Sequence, residues 1–237
     1  MIEYYLRVAP VFSSIGCSHS VMRLPEKIRL ELQRSGNYFP AKMFFSEGKA
    51  YFIFSVGEIS GMIPGDEIFS VNGKSISEIQ NKVFELISSE GNALGTKYYF
   101  INKNFADYFI LLDDSKKFEL VYRRNDGSLG NAVLNSCSYE DLKIIQDLSV
   151  DGDFSDFPIT FQPQPENGFS ILRIPTFGCR DINRYIWFMD SVFVSLSETN
   201  VKSLVIDLRG NEGGHPIFAA QLFSYLAEEP FVYFDQT

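Results

Sequence analysis

The sequence is poor in the residues on which several classes of protein depend. Its 237 residues include three cysteines, two histidines and no Cys-x-x-Cys pair, which argues against a disulfide framework and a structural zinc site. Basic residues are outnumbered, with 21 Lys and Arg against 30 Asp and Glu, and the formal charge is -9. A chain this acidic lacks the broad basic surface that binds nucleic acid or an acidic membrane surface. No apolar run reaches the ~18 residues of a membrane-spanning helix, and Met1 to Ser20 lack the pattern of a signal peptide, so any export signal would lie outside this chain.

The remaining composition is that of a globular protein. Hydrophobic residues make up 45% and charged residues 22%, which argues against intrinsic disorder. The length suits one large domain or two smaller ones. Residues 149–168 are rich in Asp and Pro and poor in aliphatic residues, as expected of a linker. We predict a helical N-terminal segment over 1–36, a module over 37–140, an acidic, Pro-rich linker over 141–168, and the first part of an α/β core over 169–237.

The first half predicts a mixture of helices and hairpins. Apolar residues at helical spacing predict a helix over 2–14. Alternation of apolar and charged residues over 25–33 favours a half-exposed strand, with a short helix as the alternative. A helix capped by Ser77 is expected over 77–88, whereas 89–115 is expected to be irregular with some helix. Hairpin turns are predicted at 46–49, 72–73 and 125–127.

Strands and helices alternate in the last part of the chain. We expect a strand over 169–174, a helix over 181–199, a strand over 203–208, a glycine turn over 209–214 and a helix over 216–227. Because each strand is followed by a helix, this order predicts a parallel sheet flanked by helices. His215 precedes Pro216, and we interpret it as the residue that opens the last helix.

The glycine turn is the first candidate for a functional site. Residues 210–214, Gly-Asn-Glu-Gly-Gly, follow an apolar strand and precede a helix. Ligands of open α/β sheets bind beyond the carboxyl ends of strands, where free backbone N–H groups are available. Glycines at 213 and 214 would let the backbone approach the oxyanion of an acyl-transfer reaction. A phosphate could be bound in the same way, although the spacing matches no nucleotide fingerprint. A tight turn without a ligand is the other interpretation.

The second candidate is His19, which lies between Ser18 and Ser20. Neighbouring hydroxyl groups can fix the tautomer of a histidine and prepare it as a base. A surface or capping histidine could have the same neighbours. The segment is not a nucleophile elbow, because position 20 holds Ser where Gly-x-Ser-x-Gly requires Gly.

The third candidate is the segment 61–73, Gly-Met-Ile-Pro-Gly-Asp-Glu-Ile-Phe-Ser-Val-Asn-Gly. Two glycine-containing turns bound a strand, and a helix follows. The segment carries no reactive group of its own. It could bind a peptide only through an exposed sheet edge, to which the peptide would add as a strand.

These three features, in this order, resemble the carboxy-terminal processing, or tail-specific, serine peptidases, and most of all their tricorn-type branch. Four segments carry the resemblance: 207–214 to the family's D-L-R-x-N-x-G-G signature, 61–76 to its PDZ-like module, 16–20 to its histidine loop, and 171–177 to the strand that opens its protease core.

The resemblance implies a fold and a substrate class. The fold would be a Clp protease/crotonase-like α/β core with part of its parallel sheet, an inserted PDZ-like α+β module and a helical N-terminal segment. The substrate would be a polypeptide, and Gly61, Met62 and Ile63 would begin the peptide-binding segment. No cofactor and no metal are implied. Since relatives are commonly exported, an extracytoplasmic location is implied, in the periplasm or the cell envelope.

The resemblance also implies roles for particular residues. The reaction would be peptide-bond hydrolysis by a serine nucleophile. His19 would be the general base and Ser18 its orienting partner. Gly213 or Gly214 would donate a backbone N–H to the oxyanion.

One feature departs from the family. In the family, the serine nucleophile and an orienting glutamate follow the glycine turn at some distance, whereas this chain ends at Thr237. The resemblance therefore implies that the nucleophile is not in this chain, and we expect the chain by itself to have no hydrolytic activity. Two alternatives stay open: a non-catalytic ligand-binding protein on the same fold, and a peptide-binding adaptor built on 37–140.

Overall fold

The structure is a computed structural model that describes residues 1–57, 61–91, 93–147, 157–199 and 201–233. The chain divides into two compact units, Met1–Asp151 and Gly152–Thr237. Each unit has its own hydrophobic core. Both combine helices with β-sheet, so the protein belongs to the mixed α/β class.

The first unit is an antiparallel sheet with helices. Its helices are α1 (Ile2–Ser14), α2 (Glu26–Ser35), α3 (Ile76–Leu86), α4 (Leu94–Phe109) and α5 (Tyr139–Asp147). Its strands are β1 (Ala41–Ser46), β2 (Lys49–Ser55), β3 (Glu67–Val71), β4 (Lys74–Ser75), β5 (Lys117–Arg123) and β6 (Leu129–Asn135). The strand order is β1-β2-β3-β5-β6, and the short β4 pairs with β3. The segments predicted over 1–36 and 37–140 thus belong to one unit.

Tight turns join the strands where the sequence predicts them. Glu47 and Gly48, with φ of 50° and 79°, connect β1 to β2, and Asn72 and Gly73, with φ of 49° and 75°, connect β3 to β4. A positive φ at both central residues is the type I′ geometry, whose twist matches that of paired strands. The third predicted turn, which contains Gly127, joins β5 to β6. All three hairpin predictions are confirmed.

Phenylalanine rings form the centre of the first core. Phe39 contacts Phe105, Phe109 and Phe118 at centroid separations of 5.4, 5.6 and 5.1 Å. Burying each such side chain contributes about 1.5–3 kcal/mol. Helix α4 supplies two of these rings and covers most of 89–115, so this segment contains more helix than the prediction of an irregular segment with some helix.

Polar residues within α4, such as Asn102, made this helix difficult to predict from the sequence. The Asn102 side chain accepts a hydrogen bond from Phe45 N at 2.6 Å and donates one to Phe45 O at 3.0 Å. The amide thereby pairs with the backbone of β1. The helix is kinked two residues later, at Asn104, where φ is -129° and ψ is 29°. An asparagine in this role lowers helix propensity while it ties the helix to the sheet.

Helix α2 occupies the segment 25–33, for which the sequence favours a half-exposed strand with a short helix as the alternative, so the alternative is correct. Its long charged side chains favour a helix, and Gly36, with φ of 64°, ends it in the left-handed conformation. None of its residues is buried. The alternation of apolar and charged residues therefore did not mark a buried strand face.

Helix α3 begins before the predicted cap. Ser75, and not Ser77, is the N-cap: its Oγ accepts from Glu78 N at 3.2 Å, and Glu78 Oε2 accepts from Ser75 N at 2.9 Å. This reciprocal pair is a capping box.

The linker predicted over 141–168 is wrong at both ends. Helix α5 continues to Asp147, and the next strand begins at Thr160. The part of this prediction that covers 148–156 lies outside the described residues. The boundary between the two units falls within the predicted linker, at Asp151.

The second unit contains a mixed sheet. Its elements are β7 (Thr160–Gln164), β8 (Phe169–Arg173), α6 (Ile182–Glu198), β9 (Ser203–Asp207) and α7 (Pro216–Ser224). Strand β8 is parallel to β9, as predicted, but antiparallel to β7. The connection from β7 to β8 is a short turn that ends at Gly168, with φ of 75°. Because so short a connection can join only antiparallel strands, the sheet is mixed and not purely parallel.

Both helices of this unit have side-chain caps. Asp181 caps α6 by accepting from Asn183 N at 2.9 Å. His215 caps α7, because its Nδ1 accepts from Ile217 N at 3.2 Å. The prediction that His215 opens this helix is confirmed. Among the helices of the described ranges, none is both long and apolar enough to cross a bilayer.

Candidate functional site

The histidine loop is fastened to the segment that follows α3. Gly16, with φ of 71°, turns the chain after α1, and its Cα lies so near residue 91 that an added Cβ would stand 3.3 Å from Gly91 Cα. Hydrogen bonds to the backbone join the two segments: Ser13 Oγ donates to Ile87 O at 2.8 Å, Gly91 N to Gly16 O at 2.8 Å, and Ser88 Oγ to Ser20 O at 2.7 Å. The backbone of the loop is therefore held on both sides of His19.

Ser18, His19 and Glu90 meet on this loop. Glu90 Oε1 accepts from Ser18 N at 2.9 Å and from Ser18 Oγ at 2.5 Å. Ser18 Oγ lies 3.5 Å from His19 Nδ1, at the outer limit of a hydrogen bond, and Glu90 Oε1 lies 3.9 Å from the same nitrogen. The structure thus brings together the predicted pair, Ser18 and His19, and adds a carboxylate that the sequence did not reveal.

The Glu90 carboxylate is held in its charged form. The hydrogen bond from the Ser18 hydroxyl, followed by that from the Ser18 backbone, lowers the pKa of Glu90 below its ordinary value. The negative charge of this carboxylate therefore lies 3.9 Å from His19 Nδ1. The His19 side chain is 92% exposed, so its second nitrogen is accessible from solvent.

Cys17 adds a third kind of donor to the same place. Its Sγ, a ring nitrogen of His19 and a carboxylate oxygen of Glu90 all lie within 4.8 Å of one another. These are three of the side-chain groups that bind transition metals. The sequence separates them, because Glu90 follows the Ser18 position by 72 residues, and no spacing motif could have shown the cluster.

The glycine turn of the second unit is ordered by side chains on both flanks. After β9, Arg209 Nε and Nη2 donate to the two oxygens of Asp207 at 2.9 and 2.8 Å. This interaction lowers the pKa of Asp207 to about 2. Asn211 Nδ2 donates to Ile174 O at 2.9 Å, and its Oδ1 accepts from Gly213 N at 2.7 Å. The turn therefore has a fixed shape without any ligand.

Gly214 packs directly against another segment. Phe177 N donates to Gly213 O, and His215 N donates to Phe177 O, both at 2.9 Å. A Cβ on Gly214 would lie 2.1 Å from the carbonyl carbon of Phe177, and the φ of Gly214 is 146°. Only glycine fits there.

The two predicted oxyanion donors differ in availability. The Gly213 N–H is already bonded to Asn211 Oδ1. The Gly214 N–H has no hydrogen-bond partner in the described part of the chain, and the residue is exposed. Of the two, Gly214 has the amide that is available to an anionic oxygen.

The predicted peptide-binding residues lie before β3. Tyr122 Oη donates to Gly61 O at 2.7 Å, Met62 is buried, and Ile63 N donates to Asp66 Oδ2 at 2.9 Å. Two backbone groups that an added strand could use are therefore already bonded. Whether this segment binds a peptide stays a prediction.

Comparison with known proteins gives a weak structural likeness. No family model and no curated protein matches the chain. Two solved structures of mature CPAF, one of them complexed with lactacystin, match with a TM-score of 0.46 and 16% identity over 79% of this chain and 43% of that chain. A structure of a CPAF point mutant matches with a TM-score of 0.45 and 15% identity over 76% of this chain and 42% of that one. CPAF is a serine protease of the tail-specific type. The chain thus spans less than half the length of the structures it matches.

Proposed function

We propose that this chain supplies the general base and the oxyanion-binding turn of a serine peptidase of the carboxy-terminal processing kind. The observation that carries the proposal is the Ser18–His19–Glu90 arrangement. A histidine whose Nδ1 faces a hydroxyl and a carboxylate is the arrangement in which serine hydrolases prepare a base.

His19 acts as base through Nε2 in this proposal. Its Nδ1 lies 3.5 Å from Ser18 Oγ and 3.9 Å from Glu90 Oε1, so Nε2 is the nitrogen left to take a proton from a nucleophile. The Glu90 carboxylate then stabilises the imidazolium. The Ser18 hydroxyl donates a hydrogen bond to Glu90. Ser18 is therefore a positioning residue and not the nucleophile.

Gly214 binds the oxyanion. Its amide is available, and Asn211 and Phe177 fix the backbone on both sides of the turn. In serine peptidases, removal of one such donor lowers turnover by about 10²–10³. The serine nucleophile is assigned to no described residue. The substrate class is polypeptide. The antiparallel sheet of the first unit corresponds to the PDZ-like module of the family.

The test is peptidase activity of the protein expressed from its full gene, measured as kcat/KM on a panel of fluorogenic peptides in the presence of a chelator. We expect His19→Ala to lower kcat/KM by at least about 10³ and Glu90→Gln by at least about 10², in keeping with the contribution of an oriented base. Because both side chains are exposed, neither substitution should change folding, and circular dichroism verifies this.

Glu85→Gln is the matched control. Glu85 is also a surface glutamate of the same unit, and its side chain pairs with Lys82. We expect it to retain full activity. A His19→Ala protein as active as the parent would disprove the proposed base, and a full-gene product inactive on the whole panel would disprove the peptidase.

A further inference from the structure

The cluster of Cys17, His19 and Glu90 has a second possible chemistry, that of metal binding. A thiolate, an imidazole nitrogen and a carboxylate oxygen converge within 4.8 Å. We propose that these three side chains bind one divalent transition-metal ion, best Zn²⁺, at an open three-ligand site on the first unit. The site differs from the structural zinc sites that the scarcity of cysteine argues against, because it needs one cysteine and leaves one coordination position to water.

The donor set favours zinc over harder cations. Thiolate is a soft ligand and imidazole a borderline one, a combination that Mg²⁺ and Ca²⁺ do not prefer. Zinc takes sulfur at about 2.3 Å and nitrogen or oxygen at about 2.0–2.2 Å. The donors of a tetrahedral site therefore stand roughly 3.3–3.8 Å apart, and an inward movement of about 1 Å would complete the site.

The side chains can make this movement while the backbone stays fixed. His19 and Glu90 have 92% and 65% of their side-chain surface exposed, so both side chains have room to rotate. The hydrogen bonds at Ser13, Gly16 and Ser20 hold the segments from which they extend. Rotation of the side chains alone would bring the donors to bonding distance.

Ser18 orients the carboxylate for this purpose. Both of its hydrogen bonds go to Glu90 Oε1. Oε2 has no partner in the described part of the chain, and it is the oxygen available to a metal. Hydrogen bonds that fix a ligating carboxylate in this way commonly change metal affinity by 10–100-fold.

Metal binding would control the base. This step rests on the proposed function: a His19 ring nitrogen bonded to zinc fixes the ring with a proton on the other nitrogen, so neither can accept a proton. Zinc would then act as a reversible inhibitor of hydrolysis. The metal site itself does not depend on the peptidase proposal and is tested without it.

The experiment is a metal titration of the 237-residue chain after chelator treatment under reducing conditions. We expect one equivalent of Co²⁺ to produce the near-ultraviolet absorption of a cobalt–thiolate bond, and Zn²⁺ to displace it. Isothermal titration with Zn²⁺ should give one site. Cys17→Ser should abolish the cobalt–thiolate band, and His19→Ala and Glu90→Gln should each weaken zinc by at least about tenfold.

Cys179→Ser is the control. Cys179 is a free, half-buried cysteine of the second unit, so its loss should leave both titrations unchanged. Absence of the band, a band that survives Cys17→Ser, or zinc binding equally strong in all the variants would overturn the site. Ser18→Ala should weaken zinc without removing the band.

The two proposals fail separately. Loss of metal binding with His19-dependent hydrolysis intact would remove only the metal site. Metal binding with no hydrolysis on the peptide panel would remove only the peptidase.

Discussion

Gly214 lies where two backbone segments touch, and its neighbour Gly213 does not. Both have positive φ, 146° and 95°, but a Cβ would meet the Phe177 carbonyl group at 2.1–2.2 Å on Gly214 and nothing within 4 Å on Gly213. We expect Gly213→Ala to lower the free energy of unfolding by about 1–2 kcal/mol, the cost of backbone strain. Gly214→Ala adds the clash and should cost about 3 kcal/mol or more. Urea unfolding of the two variants measures the difference, and equal costs would show that the clash is relieved without penalty.

Asp207 predicts a pH dependence of stability. Arg209 lowers the pKa of Asp207 to about 2 from an ordinary 3.8, so the folded state favours the charged carboxylate. The stabilisation is present above pH 4 and is lost as the pH falls from about 4 towards 2, because the unfolded state then binds the proton first. Urea unfolding between pH 4.5 and about 2.5 should show a smaller decrease in Asp207→Asn than in the parent.

Glu229→Gln serves as the charge control for this measurement. Glu229 is an exposed acid of the same unit, so its substitution makes the same change in net charge as Asp207→Asn without removing the hydrogen bonds from Arg209. If Asp207→Asn and the parent lose stability in parallel, the Arg209 interaction does not contribute to folding.

At the scale of single residues, contacts between sequence neighbours could be predicted, whereas contacts between residues far apart in the sequence could not. Ser18 and His19 are adjacent, so their association could be predicted. Glu90 could not be assigned, because only the fold places position 90 beside the loop. The difference between Gly213 and Gly214 likewise depends on Phe177, which lies on another segment.

Among the elements, helix α3 allows a direct test of predicted against observed capping. Ser75→Ala removes the hydroxyl that accepts from Glu78 N and should cost about 1 kcal/mol. Ser77→Ala changes an exposed residue of the first turn, and we expect a change of within about 0.5 kcal/mol in either direction. Thermal unfolding of the two proteins compares them. A larger loss of stability in Ser77→Ala than in Ser75→Ala would show that Ser77 is the cap.

Local turn chemistry was the most reliable sequence signal at the scale of elements. Glu47-Gly48 and Asn72-Gly73 require positive φ, and their hairpins were predictable without knowledge of the fold. Helix α2 was only the alternative to a strand, because Ile28, Leu30 and Leu32 alternate with other residues as in a half-exposed strand. The extent of α4 was not predictable, because the sequence does not show that the Asn102 amide pairs with the backbone of β1. The antiparallel position of β7 followed from a turn within the predicted linker.

For the whole molecule, the separate cores predict independent folding of the first unit. Its core takes residues from α1, α3, α4 and α5 and from the sheet, all before Asp151. We expect residues 1–151 alone to unfold cooperatively in urea with a near-ultraviolet circular dichroism signal. A fragment of residues 1–109 is the control, because it lacks β5 with Phe118 and should not fold. Absence of a cooperative transition in 1–151 would mean that the first core is not self-sufficient.

The hydrogen bonds between the histidine loop and the end of α3 also limit how this chain can vary in length. Ser13, Gly16, Ser18 and Ser20 each meet a fixed partner between Ile87 and Gly91. A substitution removes one of these bonds, but an inserted or deleted residue shifts every later donor out of step with its acceptor. Relatives that keep this loop should therefore differ in its composition more freely than in its length, and insertions should accumulate outside it, in exposed stretches such as α2.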